Sequence, residues 1–297
     1  MVVDYESGPL LAACVDSLLA DGVTRVVVVD NGSADEPLDG LDRTDPRVEV
    51  VHPGRNVGYG SAANRGAAVV GGELFLVCNP DLRVMPGTVR ALQDAALADP
   101  SVGAVGPVVR NLDGTRYPSA RRFPSLVDAA GHALVGRIRP DNPFTRRYHG
   151  ASATGSDHPP GAVVHSDWVS GAFMAVRRQA FEQVGGFDEG YFMYAEDMDF
   201  CWRLRQAGWL VVWTGAGEVV HVQGASTARH PWRMLVEHHR SALRFAARSS
   251  SGWRRLTLPA VAVVLGLRLL AAAAGAAVAG VPRGGSPGAR VSPDHGS

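Results

Sequence analysis

The sequence contains no lysine, and all 29 of its basic residues are arginine. That absence excludes a phosphate-binding P-loop lysine and any Schiff-base chemistry on a lysine amine. Cysteine is scarce as well. Cys14, Cys78 and Cys201 are odd in number, far apart and set in apolar segments, so they read as reduced core thiols of a cytosolic protein. The opening MVVDYESG lacks the basic region and apolar run of a secretory signal, and export is not expected. It also reads as a strand already under way at Met1, as if the true start lay a few residues upstream.

The 297 residues, 46% hydrophobic and 20% charged, suit one large domain or a domain with an appendage. Zero formal charge hides a split. Residues 1–228 hold 19 arginines against 27 acids, and residues 229–297 hold 10 against 2. The main body is therefore no nucleic-acid binder, whereas the basic tail suits an anionic surface such as a membrane.

Short apolar runs alternate with helical stretches, the pattern of an α/β fold with a mainly parallel sheet. Leu10, Leu11, Cys14, Val15, Leu18 and Leu19 form one helical stripe behind Pro9. The run 24–29 (TRVVVV) predicts a strand buried on both faces. Further strands are expected over 47–51, 73–78 and 102–109, with helices over 61–70 and 86–97 and a hairpin turn at 111–114. Residues 116–162 are loop-rich and carry six prolines, a length usual for a functional connection. Ordered chain resumes over 163–176, a helix spans 196–207, two strands cover 209–213 and 219–222, and Pro231 opens a helix to about Arg248. The segment 256–280 is apolar apart from Arg268 and long enough to cross a bilayer. Its mid-segment arginine, Pro259 and abundant Ala and Gly favour a helix lying on the membrane surface instead. Residues 281–297 have the composition of a disordered tail. The organisation expected is a domain over 1–228, membrane-associating helices over 229–280 and this tail.

Three strands deliver polar residues at their carboxyl ends, the edge where open α/β sheets bind ligands. Asp81, in the turn Asn79-Pro80-Asp81, could hold Mg²⁺ or Mn²⁺ against a diphosphate, although such a turn is also ordinary. Asp30 could accept from a nucleobase N–H or simply make an Asx turn. The loop from Asn56 to Asn64 offers Gly58 and Gly60 for close backbone approach and two Asn side chains for ribose or phosphate. In Tyr194-Ala195-Glu196-Asp197-Met198-Asp199 the acids could merely cap a helix, yet the helix dipole there favours an ionised carboxylate such as a general base needs. Asp199 and Arg203 are spaced to pair at i, i+4, which leaves Glu196 or Asp197 for catalysis. His221 could be a further metal ligand or a structural histidine. Arg121, Arg122, Arg137, Arg139, Arg146 and Arg147 could be solvated surface or could hold an anionic acceptor.

Taken together, VVDN (28–31), NVGYGSAAN (56–64), NPD (79–81), SGAFMAVRR (170–178), GGFDEGYFMYAEDMDFCWRLRQAGW (185–209) and VVH (219–221) resemble the inverting family 2 glycosyltransferases of the GT-A fold. The resemblance covers about residues 1–228. It implies a Rossmann-like mixed, mainly parallel sheet flanked by helices, with a C-terminal helical tail. It further implies that Asp30 meets the base, with Tyr5, Asn31, Asn56, Gly58, Tyr59, Gly60 and Asn64 around the nucleotide. Asn79 and Asp81 would face the diphosphate, and Asp81 and His221 the metal. Asp197 would be the catalytic base with Glu196 positioning the acceptor or sharing that role, while Trp168, Ser170, Gly171, Arg121, Arg122 and Arg203 border the acceptor. Asn79 stands in place of the first acid of a DxD motif. Asp4-Tyr5-Glu6 stands where many relatives have Thr-Tyr-Asn.

Within that family, GTRYPSARRFPS (114–125), NPFTRRY (142–148) and EHHRSALRF (237–245) are similar to actinobacterial rhamnosyltransferases of the arabinogalactan linkage unit. This narrower likeness implies transfer of L-rhamnose from dTDP-L-rhamnose to the 3-hydroxyl of polyprenyl-diphospho-GlcNAc, peripherally on the inner face of the plasma membrane. The alternatives are another donor sugar, such as mannose or galactofuranose, or a non-catalytic sugar-nucleotide or scaffold protein that keeps the fold.

Overall fold

The structure, a computed structural model, describes residues 1–32, 38, 40–123, 135, 139, 141–143, 159, 161–222 and 231–278, without the side chains of 231 and 274–278. Most of the Pro-rich stretch, with Arg137, Arg146 and Arg147, and the expected disordered tail lie outside the described residues.

The amino half alternates strand and helix: β1 (Val2–Asp4), α1 (Pro9–Ala20), β2 (Val26–Asp30), β3 (Val48–Val51), α2 (Tyr59–Val69) and β4 (Leu74–Cys78). Then follow β5 (Leu82–Val84), α3 (Thr88–Leu97), β6 (Val102–Asn111), β7 (Arg116–Tyr117) and β8 (Ala120–Arg121). The carboxyl half holds β9 (Val163–His165), β10 (Trp168–Val169), β11 (Phe173–Arg177), α4 (Arg178–Gln183), α5 (Glu196–Gln206), β12 (Leu210–His221), α6 (Pro231–Ser249) and α7 (Leu258–Val278). Among the described residues, one mixed sheet runs in the order β3-β2-β1-β4-β11-β6-β12-β5, with β7 on β6 and β9 on β12. Strands β1 to β4 pair in parallel, as do β6 and β12, while β11 and β5 run antiparallel to their neighbours.

The β-branched run in β2 is buried on both faces, as its composition predicts. Val27 and Val29 belong to the core under α2, α4 and α5, and Val26 and Val28 to the core under α1 and α3. Helix α1 turns Leu11, Cys14, Val15 and Leu18 inward, and Pro9 sits in its first turn. All three cysteines are buried free thiols. In one departure from the periodicity, β12 is a single strand where two are expected. Its irregularity between Trp213 and Glu218 is held by Thr88, whose hydroxyl donates to the Glu218 carbonyl at 2.8 Å and accepts its N–H at 3.0 Å. That side chain supplies the hydrogen bonds the ladder loses at the bulge.

A buried ion network fixes the carboxyl half. Asp199, fully buried, accepts from Arg203 Nε at 2.7 Å, Arg248 Nε at 3.2 Å and the Tyr191 hydroxyl at 3.3 Å. The other end of Arg203 donates to the Val184 and Gly186 carbonyls at 2.6 and 2.7 Å. Arg244 and Arg248 both pair with Asp188. A Cβ on Gly190 would lie 2.1 Å from the Arg244 guanidinium, so the arginine packs directly over the glycine and would have to shift for any larger residue. Helix α6 is thereby docked on the domain, with Ser241, Phe245 and Ala246 buried against it. Helix α7 contrasts with this. The stretch Gly252–Ala273 contains 18 consecutive residues of mean hydropathy 2.1, none of them buried, and is long and apolar enough to cross a membrane.

Replacing Arg203 by Met strands the Asp199 charge against Arg248 alone and leaves two carbonyls without donors. The expected loss is about 3 kcal/mol or more of unfolding free energy, read by urea titration, against a near-zero effect for Arg90→Met on the exposed face of α3.

Candidate active site

Two strand ends create the first wall. Strand β4 stops at Cys78, and the turn that follows is tied back by the Asn79 N–H to the Ala172 carbonyl at 2.8 Å. Beyond the turn β5 pairs with β12, and the register sets His221 opposite Leu82. Asp81 and His221, 140 residues apart in sequence, therefore meet with Oδ1 3.0 Å from Nε2. Both are largely buried.

The second wall is the end of β2 and the loop before α2. Asn31 Oδ1 accepts from the Val57 N–H at 2.9 Å, and Asn31 Nδ2 donates to Asn56 Oδ1 at 3.2 Å. Gly58, at φ +90°, brings this loop against Phe192, whose carbonyl would lie 2.6 Å from any Cβ there. Tyr59 then donates its hydroxyl to the Gly171 carbonyl at 2.7 Å. The N–H of Gly171 donates to Asp197 Oδ2 at 2.8 Å. A continuous relay of polar contacts thus links the loop to the third wall, the start of α5.

There Tyr194 and Ala195 occupy left-handed conformations, φ +68° and +62°. Two consecutive non-glycine residues in that region carry strain, which the surrounding packing has to sustain. The turn presents Glu196 and Asp197 to the cavity. Burial, and next the Asp197 charge, push the Glu196 carboxyl up to about 8, and its Oε2 is buried without a hydrogen-bond partner. Burial raises Asp197 too, against the lowering effect of the Gly171 and Met198 N–H groups. Desolvation thus opposes the helix dipole at both acids. Asp197, which accepts two backbone N–H groups, supports a negative charge better than Glu196, whose carboxyl at about 8 keeps its proton at neutral pH.

The three walls enclose one cavity of about 680 Å³. Tyr5, Asn31, Asn56, Gly58, Tyr59, Asn79, Asp81 and His221 line it, as do Arg121, Arg122, Trp168, Ser170, Gly171, Glu196 and Asp197. Arg121 lies over the Trp168 and Tyr117 rings, 5.3 and 5.4 Å from their centroids.

Four expected site residues are placed elsewhere. Asp30 is outside the cavity walls, its Oδ2 3.0 Å from His52 Nδ1. Asn64 grips the backbone of Phe187, with Nδ2 donating to its carbonyl at 2.9 Å and Oδ1 accepting its N–H at 2.8 Å. Gly60 faces the same Phe187. Arg203 is consumed by Asp199 and two carbonyls. In this structure Asn64, Gly60 and Arg203 brace the segments around the cavity. Asp4, beside Tyr5, is fully buried and accepts from Ser7, and burial pushes its carboxyl up to about 6.

Conversely, helix α6 contributes Arg233, Met234, His238 and Ala242 to the cavity, and α7 contributes Arg268. The four-residue spacing of Met234, His238 and Ala242 on one helical face was the sequence signal for this.

Asp81 and His221 form a carboxylate and imidazole pair, and among the described residues no group of three or more His, Cys, Asp or Glu side chains could hold a metal. Two protein donors on the cavity wall fit a divalent ion that would take its remaining ligands from phosphate oxygens and water. The imidazole suits Mn²⁺ better than Mg²⁺.

The architecture is that of the GT-A glycosyltransferases. It aligns with a mannosyltransferase from Pyrobaculum calidifontis solved with GDP-Man and Mn²⁺ (TM-score 0.54, 20% identity, 93% of this chain and 74% of that one). It also aligns with GalNAc-T7 solved with UDP, GalNAc and Mn²⁺ (TM-score 0.55, 15% identity, 84% and 51%). Residues 2–185 match the model of glycosyl transferase family 2, and 143–279 that of glycosyl transferase family group 2. The chain belongs to glycosyl transferase family 2. Among curated relatives, N-acetylglucosaminyl-diphospho-decaprenol L-rhamnosyltransferase of Mycobacterium tuberculosis is 41% identical over 271 residues, 87% of this chain and 86% of the relative. Rhamnosyltransferase WbbL of Escherichia coli is 39% identical over 130 residues, 44% of each chain.

Glu196 binds its proton more tightly folded, at about 8, than at its ordinary 4.5. Stability associated with it is therefore present below pH 4.5 and lost as pH rises through 8. Glu196→Gln removes this loss. Its melting temperature is expected to match wild type near pH 4.5 and to exceed it by about 4 °C or more at pH 9, measured by calorimetry.

Proposed function

We propose that this glycosyltransferase moves L-rhamnose from dTDP-L-rhamnose to the 3-hydroxyl of GlcNAc-diphospho-polyprenol, with inversion at the anomeric carbon. The observation that carries the reading is that Asp81 and Asp197 wall one cavity of about 680 Å³, large enough for a sugar between them. The relative that is 41% identical across most of both chains is named for that sugar and that class of acceptor, which supports the choice of substrates.

In this reading the nucleotide lies along Tyr5, Asn31, Asn56 and Gly58, with its diphosphate toward Asn79 and Asp81. A divalent ion held by Asp81 and His221 would supply positive charge to the departing diphosphate. Asp197 removes the acceptor hydroxyl proton as that oxygen bonds to the anomeric carbon, while the anomeric carbon–phosphate oxygen bond breaks and its electron pair leaves with dTDP. The Gly171 and Met198 N–H groups aim the Asp197 oxygens. Glu196, protonated, donates a hydrogen bond to the acceptor sugar. Arg121, stacked on Trp168, closes the acceptor side. The rate is expected to fall as pH drops through the raised Asp197 value, because the base is then protonated.

The test is transfer by the purified full chain from a panel of dTDP-, UDP- and GDP-sugars to a GlcNAc-diphospholipid, with Mn²⁺. dTDP-rhamnose is expected to be the donor used, and transfer from GDP-mannose or UDP-galactofuranose in its place overturns the donor assignment. Asp197→Asn preserves shape and removes basicity. It is expected to lower turnover by about 10³-fold or more with donor KM little changed, and near-normal turnover would remove Asp197 from the role of base.

The exposed apolar α7, preceded by Trp253, Arg254 and Arg255, supports attachment to the cytoplasmic face of the membrane, where a lipid-linked acceptor is met. Deleting residues 258–297 removes α7 and keeps α6. The truncated protein is expected in the soluble fraction after cell lysis, and an unchanged membrane fraction overturns this attachment.

A further inference from the structure

Helix α7 has one charged residue, Arg268, in an otherwise apolar sequence of 21 residues. An arginine so placed beside a membrane is costly unless it meets an anion or water. In the fold Arg268 borders the catalytic cavity, as does Arg233 from α6. Among the described residues neither is paired with a carboxylate. Arg233 is set against the Phe192 ring, 4.4 Å from its centroid, which orients its guanidinium with no acidic partner.

The cavity acids offer these cations little. Asp81 is engaged by His221, Asp197 accepts two backbone N–H groups, and Glu196 keeps its proton at neutral pH. Two guanidinium groups without a carboxylate partner, on the neighbouring helices that line this side of the cavity, suit the bidentate geometry of phosphate oxygens. Arg268 is close enough to His238 to disfavour its protonation, after burial and His239, which places the Arg268 charge beside the α6 lining of the cavity. Just beside Arg268, Leu267 and Leu270 are 60% and 68% exposed, an apolar path leading away from the charges.

We propose that Arg233 and Arg268 hold the diphosphate of the lipid-linked acceptor, and that the outward face of α7 carries the start of its hydrocarbon chain. This rests on the reading above that the acceptor is a lipid diphosphate. It makes α7 part of the acceptor site as well as an anchor, with the sugar directed from this side of the cavity toward Asp197.

The test is binding of farnesyl diphosphate to the full-length protein in detergent micelles, with Mn²⁺ and saturating dTDP to occupy the donor diphosphate site. Titration calorimetry reads the affinity, with farnesol as the uncharged comparison. Wild type is expected to bind farnesyl diphosphate and not farnesol. Arg268→Gln and Arg233→Gln are each expected to weaken binding by roughly tenfold or more, while the donor KM stays unchanged. Arg268→Lys, which keeps the charge and loses the fork, is expected to recover part of the affinity and serves if a Gln variant fails to fold. Equal affinity in wild type and variants, or equal binding of farnesol, overturns the proposal. Absence of rhamnosyl transfer by wild type to a GlcNAc-diphospholipid, with arginine-dependent farnesyl diphosphate binding intact, would instead count against the functional reading and support this site.

Discussion

The carboxylate of Asp199 is the constraint on which the working half of the molecule depends. Fully buried, it gathers Arg203 from its own helix, Arg248 from α6 and the Tyr191 hydroxyl. A buried charge is tolerated only when its partners are geometrically complete. The same partners therefore position three separate segments: the start of α5, the turn at 184–191 and the helix that covers the cavity. Two residues before Asp199, Asp197 inherits its location from this clamp, since α5 cannot rotate without breaking it.

The left-handed pair Tyr194-Ala195 has a natural explanation in these terms. The turn at 188–191 is held by Asp188 to α6, and α5 is held by Asp199, so the chain between them has to reverse in a few residues. The strain is offset by ion pairs on both sides, and its product is a largely buried pair of acids on the cavity wall. Burial then separates their roles. Asp197 receives two N–H groups and Glu196 receives none at Oε2, so adjacent carboxyls come to differ in proton affinity.

Much of this was legible in the sequence. The β-branched run of β2, the stripe of α1 and the polar residues closing β2 and β4 carry strong local signals, and each element formed where its period indicated. The meeting of Asp81 with His221 depends on β5, a three-residue strand that follows a proline turn too closely to show its own pattern. The break predicted within β12 came from Thr214-Gly215-Ala216-Gly217, which marks a bulge held by Thr88 from another helix, a contact no local pattern contains. Asn64, Gly60 and Arg203 sit in specific motifs, yet motif membership does not separate a residue that touches a ligand from one that shapes the loop that does. The contribution of α6 is obscured by its arginines, which interrupt the apolar pattern around the four-residue spacing of its inward face.

The seat of Arg244 against Gly190 bears on how such enzymes diversify. Because the guanidinium occupies the space of a missing side chain, the covering helix and the turn beneath it are fitted to one another. A lineage that borrowed a new C-terminal segment from a cousin would lose this fit, and the Asp188 pairs with it, unless the segment brought matching arginines. Recombination that respects the apparent edge of the α/β body would leave the roof unseated.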